Sequence, residues 1–573
     1  MPSNYEVAAV LREIADLLEV KGELPFKINA YREAGRQLEV HPEDVTRLAA
    51  EGRLRDVSGV GAAIAQKVGE YVSTGRLGFL DRLRDEVPPT LVELLRVPGL
   101  GPRKIQMLYH QLGVASIADL EAALRAGTVR ELPGMGAKTE ERLLAEVLRW
   151  EARNRRLPIG VARPAAEEVA RLIHAGCPDA IGVQPAGSLR RWVDTIGDVD
   201  LIAASDRPDA VLDCFVVLPI VKEVLGRGGT KASVLTYPNL QMDLRVVPPE
   251  AYGAALLYFT GSKAHNVKLR TICQRRGLTL NEYGLSEEAT GRVVASRREQ
   301  DVYEALGMAW IPPELREDLG EIELAQQDAL PRLIDAPAIR GELHCHSTWS
   351  DGHLSIAEMA AAAAARGWEY LAITDHSQSL AMSGLSPERV REQWAEIDRV
   401  NADGGPVRVL KGIELEIRPD GSLDYPDELL ARFDLVIASV HSGFRQDRAT
   451  LTGRMVRAVR NRHVDVIGHP SGRIIGRRDP YDVDLDALLR AAAESGTAVE
   501  INAHPDRLDL DAPHARTARE LGVLVPINTD AHHPDNFELL RYGVATGRRA
   551  WLRPEDVLNA RPLADLLAWL NRR

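Results

Sequence analysis

The sequence predicts a multidomain protein: an all-α N-terminal part, an α+β sheet domain, and a C-terminal barrel of seven β/α units. Three observations carry this expectation. The 573 residues exceed what a single hydrophobic core organises. A Gly-x-Gly motif recurs three times among helical patterns near the N-terminus. Beyond residue 339, seven apolar strand segments alternate with helical ones.

Composition sets the broad class. An apolar fraction of 45% and a charged fraction of 27% are those of soluble globular proteins. No apolar run reaches the roughly 18 residues of a membrane span. The N-terminal MPSNYEVAAVLREIADLLEV reads as an acidic amphipathic helix rather than a signal peptide. Cys177, Cys214, Cys273 and Cys345 show no paired spacing, which fits a reducing cytoplasm. The net charge of −12 gives no hint of nucleic acid. Its acid excess sits in the C-terminal part, since residues 1–300 carry 40 basic against 39 acidic side chains.

The N-terminal repeats are SGVGAAIAQKV from Ser58, PGLGPRKIQML from Pro98 and PGMGAKTEERL from Pro133. Each follows a helical pattern and turns at a glycine pair: Gly59 and Gly61, Gly99 and Gly101, or Gly134 and Gly136. Each then starts another helix with apolar residues three or four apart. Glycine permits a left-handed backbone and close approach, leaving the next helix's N-terminal N–H groups for a phosphate. Three tandem copies resemble the helix-hairpin-helix, a sequence-independent clamp on the DNA backbone.

From about 155 to 250, the runs IGVQPAGSLR, DVDLIAAS, KASVLTY and LQMDLRVV predict the sheet domain. Asp198 and Asp200 alternate along a strand, so both carboxylates face one way. Asp243, on another β-rich run, would complete a three-carboxylate set. Three hard oxygen ligands suit Mg²⁺, and a pair of such ions would activate a 3′-hydroxyl and clamp a leaving phosphate. Gly187 and Ser188 begin a turn whose donors would bind phosphate, with Arg190 and Arg191 adding charge. Residues 251–315 mix helix and hairpin, with a strand–turn at LTLNEYGLS. The acidic, Pro-flanked stretch 316–338 reads as a linker.

The seven strands of the barrel are GELHC, YLAIT, VRVLKGI, LVIASV, VDVIG, AVEIN and VLVPIN. Polar residues gather at their C-terminal ends. His344 and His346 end the first, Asp375 and His376 the second, Glu414 the third, His441 the fourth and His469 the fifth. Asn502 ends the sixth, and Asp530 and His532 the seventh. Asp351 and His353 follow the first strand in LHCHSTWSDGH. Barrels of this type place their chemistry on that face.

The order GSxRR, GDxD, MDLR, YFTGS over residues 187–262 resembles the family X DNA polymerases, relatives of polymerase beta, and the likeness covers roughly residues 1–315. It implies that Asp198, Asp200 and Asp243 hold the catalytic Mg²⁺ or Mn²⁺ ions, Asp243 accepting the primer hydroxyl proton. It implies that Ser188 and Arg191 contact the triphosphate, with Gly187 and Gly197 beside it. Tyr258 would disfavour a 2′-hydroxyl, Asn266 would contact the incoming base, and Lys263, where polymerase beta is acidic, would add affinity for the triphosphate. The N-terminal domain resembles the family's lyase domain. Lys67 matches its Schiff-base lysine, and Lys27 and Tyr31 match the phosphate-binding surroundings, while Ala63 replaces a second lysine of the family.

The pattern H-x-H, D, DH, E, H, GHP, D-x-H resembles the PHP (polymerase and histidinol phosphatase) domain over about 339–573. The resemblance implies up to three Mn²⁺ or Zn²⁺ ions. His344, His346, Glu414 and Asp530 would hold one. Glu414 would bridge to a second with His441 and His469, and Asp351, His376 and His532 would hold a third. His353 lies outside the pattern and is read as solvated.

These resemblances give the expected boundaries. They are a lyase-like helix-hairpin-helix domain (1–87), a second, fingers-like one (88–153), a palm (154–250), a nucleotide-selecting thumb (251–315), a linker (316–338) and a (β/α)7 PHP barrel (339–573). The expected protein is a cytoplasmic, monomeric gap-filling DNA polymerase of base excision or break repair. Its substrates are gapped or primer-template DNA and deoxynucleoside triphosphates, and its barrel trims 3′ ends. Competing readings make the barrel a histidinol-phosphate-type phosphatase or only structural, or make the whole chain a DNA-binding scaffold.

Overall fold

The computed structural model describes all residues except 1–3, 40, 42, 96, 98, 155, 238, 381–382 and 573; Pro98, which opens the second repeat, is thus outside the described residues. Two compact units form. One comprises 1–156, 169–184 and 197–310, the other 157–168, 185–196 and 311–573.

The first unit begins with helix Asn4–Lys21, whose Val7, Leu11, Ile14 and Leu18 recur at one-turn spacing and are all buried. They open an apolar core that runs through the helical part to Val147. At each repeat the first glycine adopts a left-handed backbone, with φ of 78° at Gly59, 91° at Gly99 and 75° at Gly134. The second glycine stands immediately before a helix: Ala62–Thr74, Pro102–Leu112 or Ala137–Asn154.

In the sheet domain, Val199–Ala204 runs parallel to Gln241–Val247, which pairs antiparallel with Lys231–Thr236, itself paired with Val221–Arg227. Cys177 and Cys214 form a disulfide with Cα atoms 6.3 Å apart. This corrects the sequence reading of unpaired cysteines, because a separation of 37 residues carries no local signature of the approach. The predicted hairpin is present. Leu278–Asn281 and Gly284–Glu287 pair antiparallel through an Asn281–Gly284 closure, and Val293–Ala295 adds a third strand.

The second unit holds all seven predicted barrel strands. Gly341–Cys345, Tyr370–Ile373, Arg408–Glu416, Leu435–Ser439, Val466–Ile467 and Ala498–Val499 form one parallel sheet. The sixth strand breaks at Glu500 and resumes as Ile501–Asn502, which pairs with Ile527–Asn528. A parallel bridge from Cys345 to Ala531 returns the last strand to the first, so the sheet curls into a barrel. Alternate residues build two apolar layers, as parallel strands covered on both faces do. Leu371, Val436 and Ala438 belong to one layer, and Tyr370, Leu435 and Ile437 to the other, with Leu558 and Leu566 from the C-terminal segment.

Residues 316–338, expected as a linker, carry a helix at Glu321–Gln326. Glu321 is buried there because its carboxylate accepts the Asp318 and Leu319 N–H groups, and Ile334 joins the barrel core. No helix among the described residues is long and apolar enough to cross a membrane.

Candidate metal centres

The palm carboxylates come first in the chain. Asp200 and Asp243 are register partners on adjacent parallel strands. Asp198 sits one residue before its strand, which begins at Val199, rather than on it as the alternation suggested. Asp243 is buried and accepts from Gln241 Nε2 at 3.1 Å and from Lys231 Nζ at 2.6 Å. Burial, then the negative charges of Asp198 and Asp243, push the Asp200 carboxyl up to about 6. A buried carboxyl raised by its carboxylate neighbours suits a divalent cation, and an all-oxygen set suits Mg²⁺ or Mn²⁺.

The expected nucleotide contacts divide between the units. In the first unit, Asn266 Nδ2 donates to the Tyr258 carbonyl at 2.7 Å. Asn266 Oδ1 is buried with no hydrogen-bond partner, an acceptor left for something else. Lys263 is exposed in the first turn of helix Lys263–Arg275, and Gly197 belongs to the same unit. In the second unit, Gly187 has φ of 56° and opens the short helix Gly187–Arg190, which contains Ser188 and is closed by Arg191. Arg191 Nε donates to Glu317 Oε1 at 3.0 Å.

In the helical part, Lys67 Nζ lies 4.8 Å from the Phe79 ring centroid and 6.0 Å from that of Tyr31, while Lys27 pairs with Glu23 at 3.0 Å. Gly61 and Gly101 precede their helices with φ of −76° and −101°, values any residue adopts. A Cβ added at Gly61, Gly101 or Gly136 would meet nothing within 4 Å. Neither internal packing nor, at Gly61 and Gly101, backbone conformation calls for glycine there. Bare backbone at a helix N-terminus instead leaves room for an outside phosphate.

The barrel gathers a denser set. Glu414 is buried at its centre. One oxygen, Oε1, lies 2.9 Å from His469 Nε2 and 3.1 Å from His441 Nε2. The other, Oε2, lies 2.9 Å from His376 Nδ1, 3.5 Å from His344 Nε2 and 3.7 Å from His346 Nε2. Three groups could hold cations: His344, His346 and Asp530; His376, Glu414 and His441; and His346, Asp351, His376 and His532. His469 faces the same carboxylate, so the structure brings together all nine barrel residues predicted from sequence. His353 is exposed.

The electrostatics fit metal. Burial alone would raise Glu414, but the His441, His376 and His344 imidazoles hold it well below the usual carboxylate range. Burial lowers His376 and His441, yet Glu414 overrides it, lifting them to about 10 and about 9. Protons on these imidazoles supply the positive charge that cations would otherwise bring. His344 Nε2, His346 Nδ1 and His469 Nδ1 are buried with no hydrogen-bond partner, and leaving such atoms unsatisfied is costly. Two of the residues have a left-handed backbone, His469 with φ of 26° and Asp530 with φ of 52°, strain that clusters at functional sites. Mixed imidazole and carboxylate donors suit Mn²⁺ or Zn²⁺.

Sequence reasoning missed the carboxylates behind the imidazoles. Glu500 accepts from His344 Nδ1 at 2.7 Å, from the His469 N–H at 2.9 Å and from Asn528 Nδ2 at 2.9 Å. Glu416 lies 3.0 Å from His441 Nδ1 and accepts from Ser442 Oγ at 2.6 Å. Each fixes which ring nitrogen its histidine presents to the cluster. The available signal was a charged residue inside an otherwise apolar strand, in AVEIN and IELEI.

Comparison with known proteins matches four family models. They are a helix-hairpin-helix domain over 2–77, a SAM-like helix-hairpin-helix tandem over 91–147, a DNA polymerase beta thumb over 255–317 and a PHP domain over 342–504. The chain is 41% identical to the DNA polymerase/3′-5′ exonuclease PolX of Bacillus subtilis (strain 168), over 99% of both chains. It is 28% identical to DNA polymerase lambda of Rattus norvegicus over 46% of this chain and 48% of the relative. A probable phosphatase of Thermoanaerobacter sp. (strain X514) is 29% identical over 38% of this chain and 89% of its own.

Proposed function

We propose how two kinds of metal centre divide the work in a chain that belongs to the family X DNA polymerases with a C-terminal PHP domain. The protein is a DNA polymerase and a 3′-5′ exonuclease. One observation carries the division of roles. A set of hard carboxylate oxygens and a mixed imidazole–carboxylate cluster stand in separate parts of one chain.

At the palm, Asp198, Asp200 and Asp243 would hold Mg²⁺ or Mn²⁺, and Asp243 takes the primer 3′-hydroxyl proton. Ions bound there would favour the alkoxide and neutralise charge on the leaving pyrophosphate. Ser188 and Arg191 grip the triphosphate, with Gly187, Gly197 and Lys263 beside it. Tyr258 crowds a 2′-hydroxyl, and the buried Asn266 carboxamide oxygen supports its contact to the incoming nucleotide. The glycine turns at Gly61, Gly101 and Gly136 hold gapped or primer-template DNA by its phosphates. Lys67 serves as the amine of a 5′-deoxyribose-phosphate lyase, with Lys27 and Tyr31 around the phosphate.

At the barrel, Glu414 would be shared by two sites. His344, His346 and Asp530 would complete one, His441 and His469 the other, and Asp351, His376 and His532 would form a third. Mn²⁺ or Zn²⁺ held there would lower the pKa of a bound water and polarise the scissile phosphate. Glu416 and Glu500 keep the imidazoles in the ligating tautomer. The setting is gap filling in base excision or break repair, in the cytoplasm and as a monomer.

Product length on a 5′-labelled primer in a gapped duplex tests this reading. Extension is expected with deoxynucleoside triphosphates and Mg²⁺ or Mn²⁺, and shortening without nucleotides, fastest with Mn²⁺. The likeness to a probable phosphatase favours a second reading, in which the barrel hydrolyses a small phosphate monoester. Phosphate release from histidinol phosphate by the same preparation would establish that activity beside primer shortening.

A further inference from the structure

The turn expected to bind the triphosphate is built into the barrel's own unit. Helix Leu540–Arg549, Arg163 and Arg473 hold it at several points. Trp192, with φ of 57°, packs edge-on against Tyr542 with ring centroids 5.8 Å apart, while the Arg163 guanidinium lies 3.5 Å from its ring centre. Asp194 accepts from Arg473 Nη2 at 2.7 Å. Arg191 immediately precedes Trp192 and is anchored separately. Its carbonyl accepts from Arg549 Nη1 at 2.7 Å. Its Nε donates to Glu317 Oε1 at 3.0 Å, and Arg549 Nη1 reaches the same oxygen at 3.1 Å. All three side chains are mostly buried, with 14%, 25% and 15% exposure for Arg191, Glu317 and Arg549.

We propose that Glu317 and Arg549 are positioning residues for the polymerase reaction, holding the Arg191 guanidinium in the plane that meets the nucleotide triphosphate. Resting on the reading that Arg191 contacts the triphosphate, this extends it to two further residues, one at the end of the thumb match and one on a barrel helix. A carboxylate taking Nε fixes rotation about the last bond of the arginine, and the Arg549 bond to the Arg191 carbonyl fixes the backbone that carries it. Preorganised guanidinium forks bind phosphate better than freely rotating ones. The Glu317 carboxylate serves two cations at once, so removing it withdraws an anchor from both guanidinium groups.

The test is steady-state gap filling by the full chain with Mg²⁺ over a range of deoxynucleoside triphosphate, alongside 3′-5′ shortening by the same preparations. Arg191→Ala is measured first, and a raised nucleotide KM supports its triphosphate role. Glu317→Gln and Arg549→Ala should each raise that KM about tenfold with kcat within about twofold, the pattern of lost ground-state binding. Shortening should stay at the wild-type rate. In an Arg191→Ala background, Glu317→Gln should add little, because both act through one group. An unchanged KM in both Glu317→Gln and Arg549→Ala overturns the inference, as does a full additive loss in the double variant. Parallel loss of both activities in both variants also overturns it, since the residues would then hold only the fold. If Arg191→Ala itself leaves the KM unchanged, the triphosphate role of Arg191 fails first and the inference falls with it.

Discussion

Asp200 stands opposite Asp243 in the parallel register of two neighbouring palm strands, and burial there, with the charges of Asp198 and then Asp243, raises the Asp200 carboxyl to about 6. Between the ordinary carboxylate value and pH 6, the folded protein therefore holds a proton that the unfolded chain releases. Stability from the neutral form is present at low pH and lost as pH rises through 6. Asp200→Asn should raise the metal-free stability at pH 8 by about 2 kcal/mol, with little gain at pH 4. Denaturant unfolding in a chelator at the two pH values measures this. Equal gains at both would show that ionisation of Asp200 is not the cause.

The glycine turns yield a sharper contrast. Gly61, Gly101 and Gly136 have open space where a Cβ would go, so replacing all three by Ala should leave the melting temperature nearly unchanged. Affinity for gapped DNA should nevertheless fall about tenfold, and the wild-type affinity should drop steeply with salt because phosphate contacts dominate. Gly59→Ala, forced into a left-handed backbone, should instead cost about 1 kcal/mol of stability. Melting curves and a fluorescence binding titration distinguish the two effects. Full DNA affinity in the triple variant would make these turns ordinary bundle corners.

Metal loading of the barrel should release protons. His376 and His441 stay protonated to about 10 and about 9 without metal, and a ligating imidazole must be neutral. Raising the pH from 6.5 to 8.5 should therefore tighten Mn²⁺ binding. Calorimetry at pH 7.5 in buffers of different ionisation enthalpy should report about one to two protons released per site that takes these rings. Binding heats independent of buffer would contradict the protonated, metal-free cluster.

Glu416 and Glu500 act behind the imidazoles. Glu416→Gln and Glu500→Gln should each weaken Mn²⁺ binding or slow primer shortening by about 10- to 100-fold. Primer extension should be untouched, since the polymerase carboxylates are elsewhere in the chain. Wild-type shortening in both variants would reduce these carboxylates to buried polar filler.

Much of this was legible in the sequence because the signals are local. A glycine pair between helices predicts its own turn, and the three turns appear at Gly59, Gly99 and Gly134. Apolar runs of four to seven residues predict buried parallel strands, and a polar residue at each strand's C-terminal end predicts the convergence on Glu414. Other features depend on contacts between distant segments. The Cys177–Cys214 approach needs the packed palm. Asp198 falls just off its strand because pairing, not alternation, sets where a strand starts. Glu500 read as part of an apolar run because its partners, His344 and Asn528, come from other strands. The acidic stretch around Glu321 read as a linker because its charges are used up in local capping that composition does not reveal.

The most direct test of two separate metal centres is product length on a 5′-labelled primer for Asp243→Ala and Glu414→Ala, with and without deoxynucleoside triphosphates. Circular dichroism confirms that both variants fold. Asp243→Ala should lose extension and keep 3′ shortening with Mn²⁺, while binding gapped DNA normally. Glu414→Ala should lose shortening, because five histidine ring nitrogens gather within 3.7 Å of that carboxylate, and keep extension. Loss of shortening in both variants, or in neither, would contradict the assignment of the nuclease to the barrel.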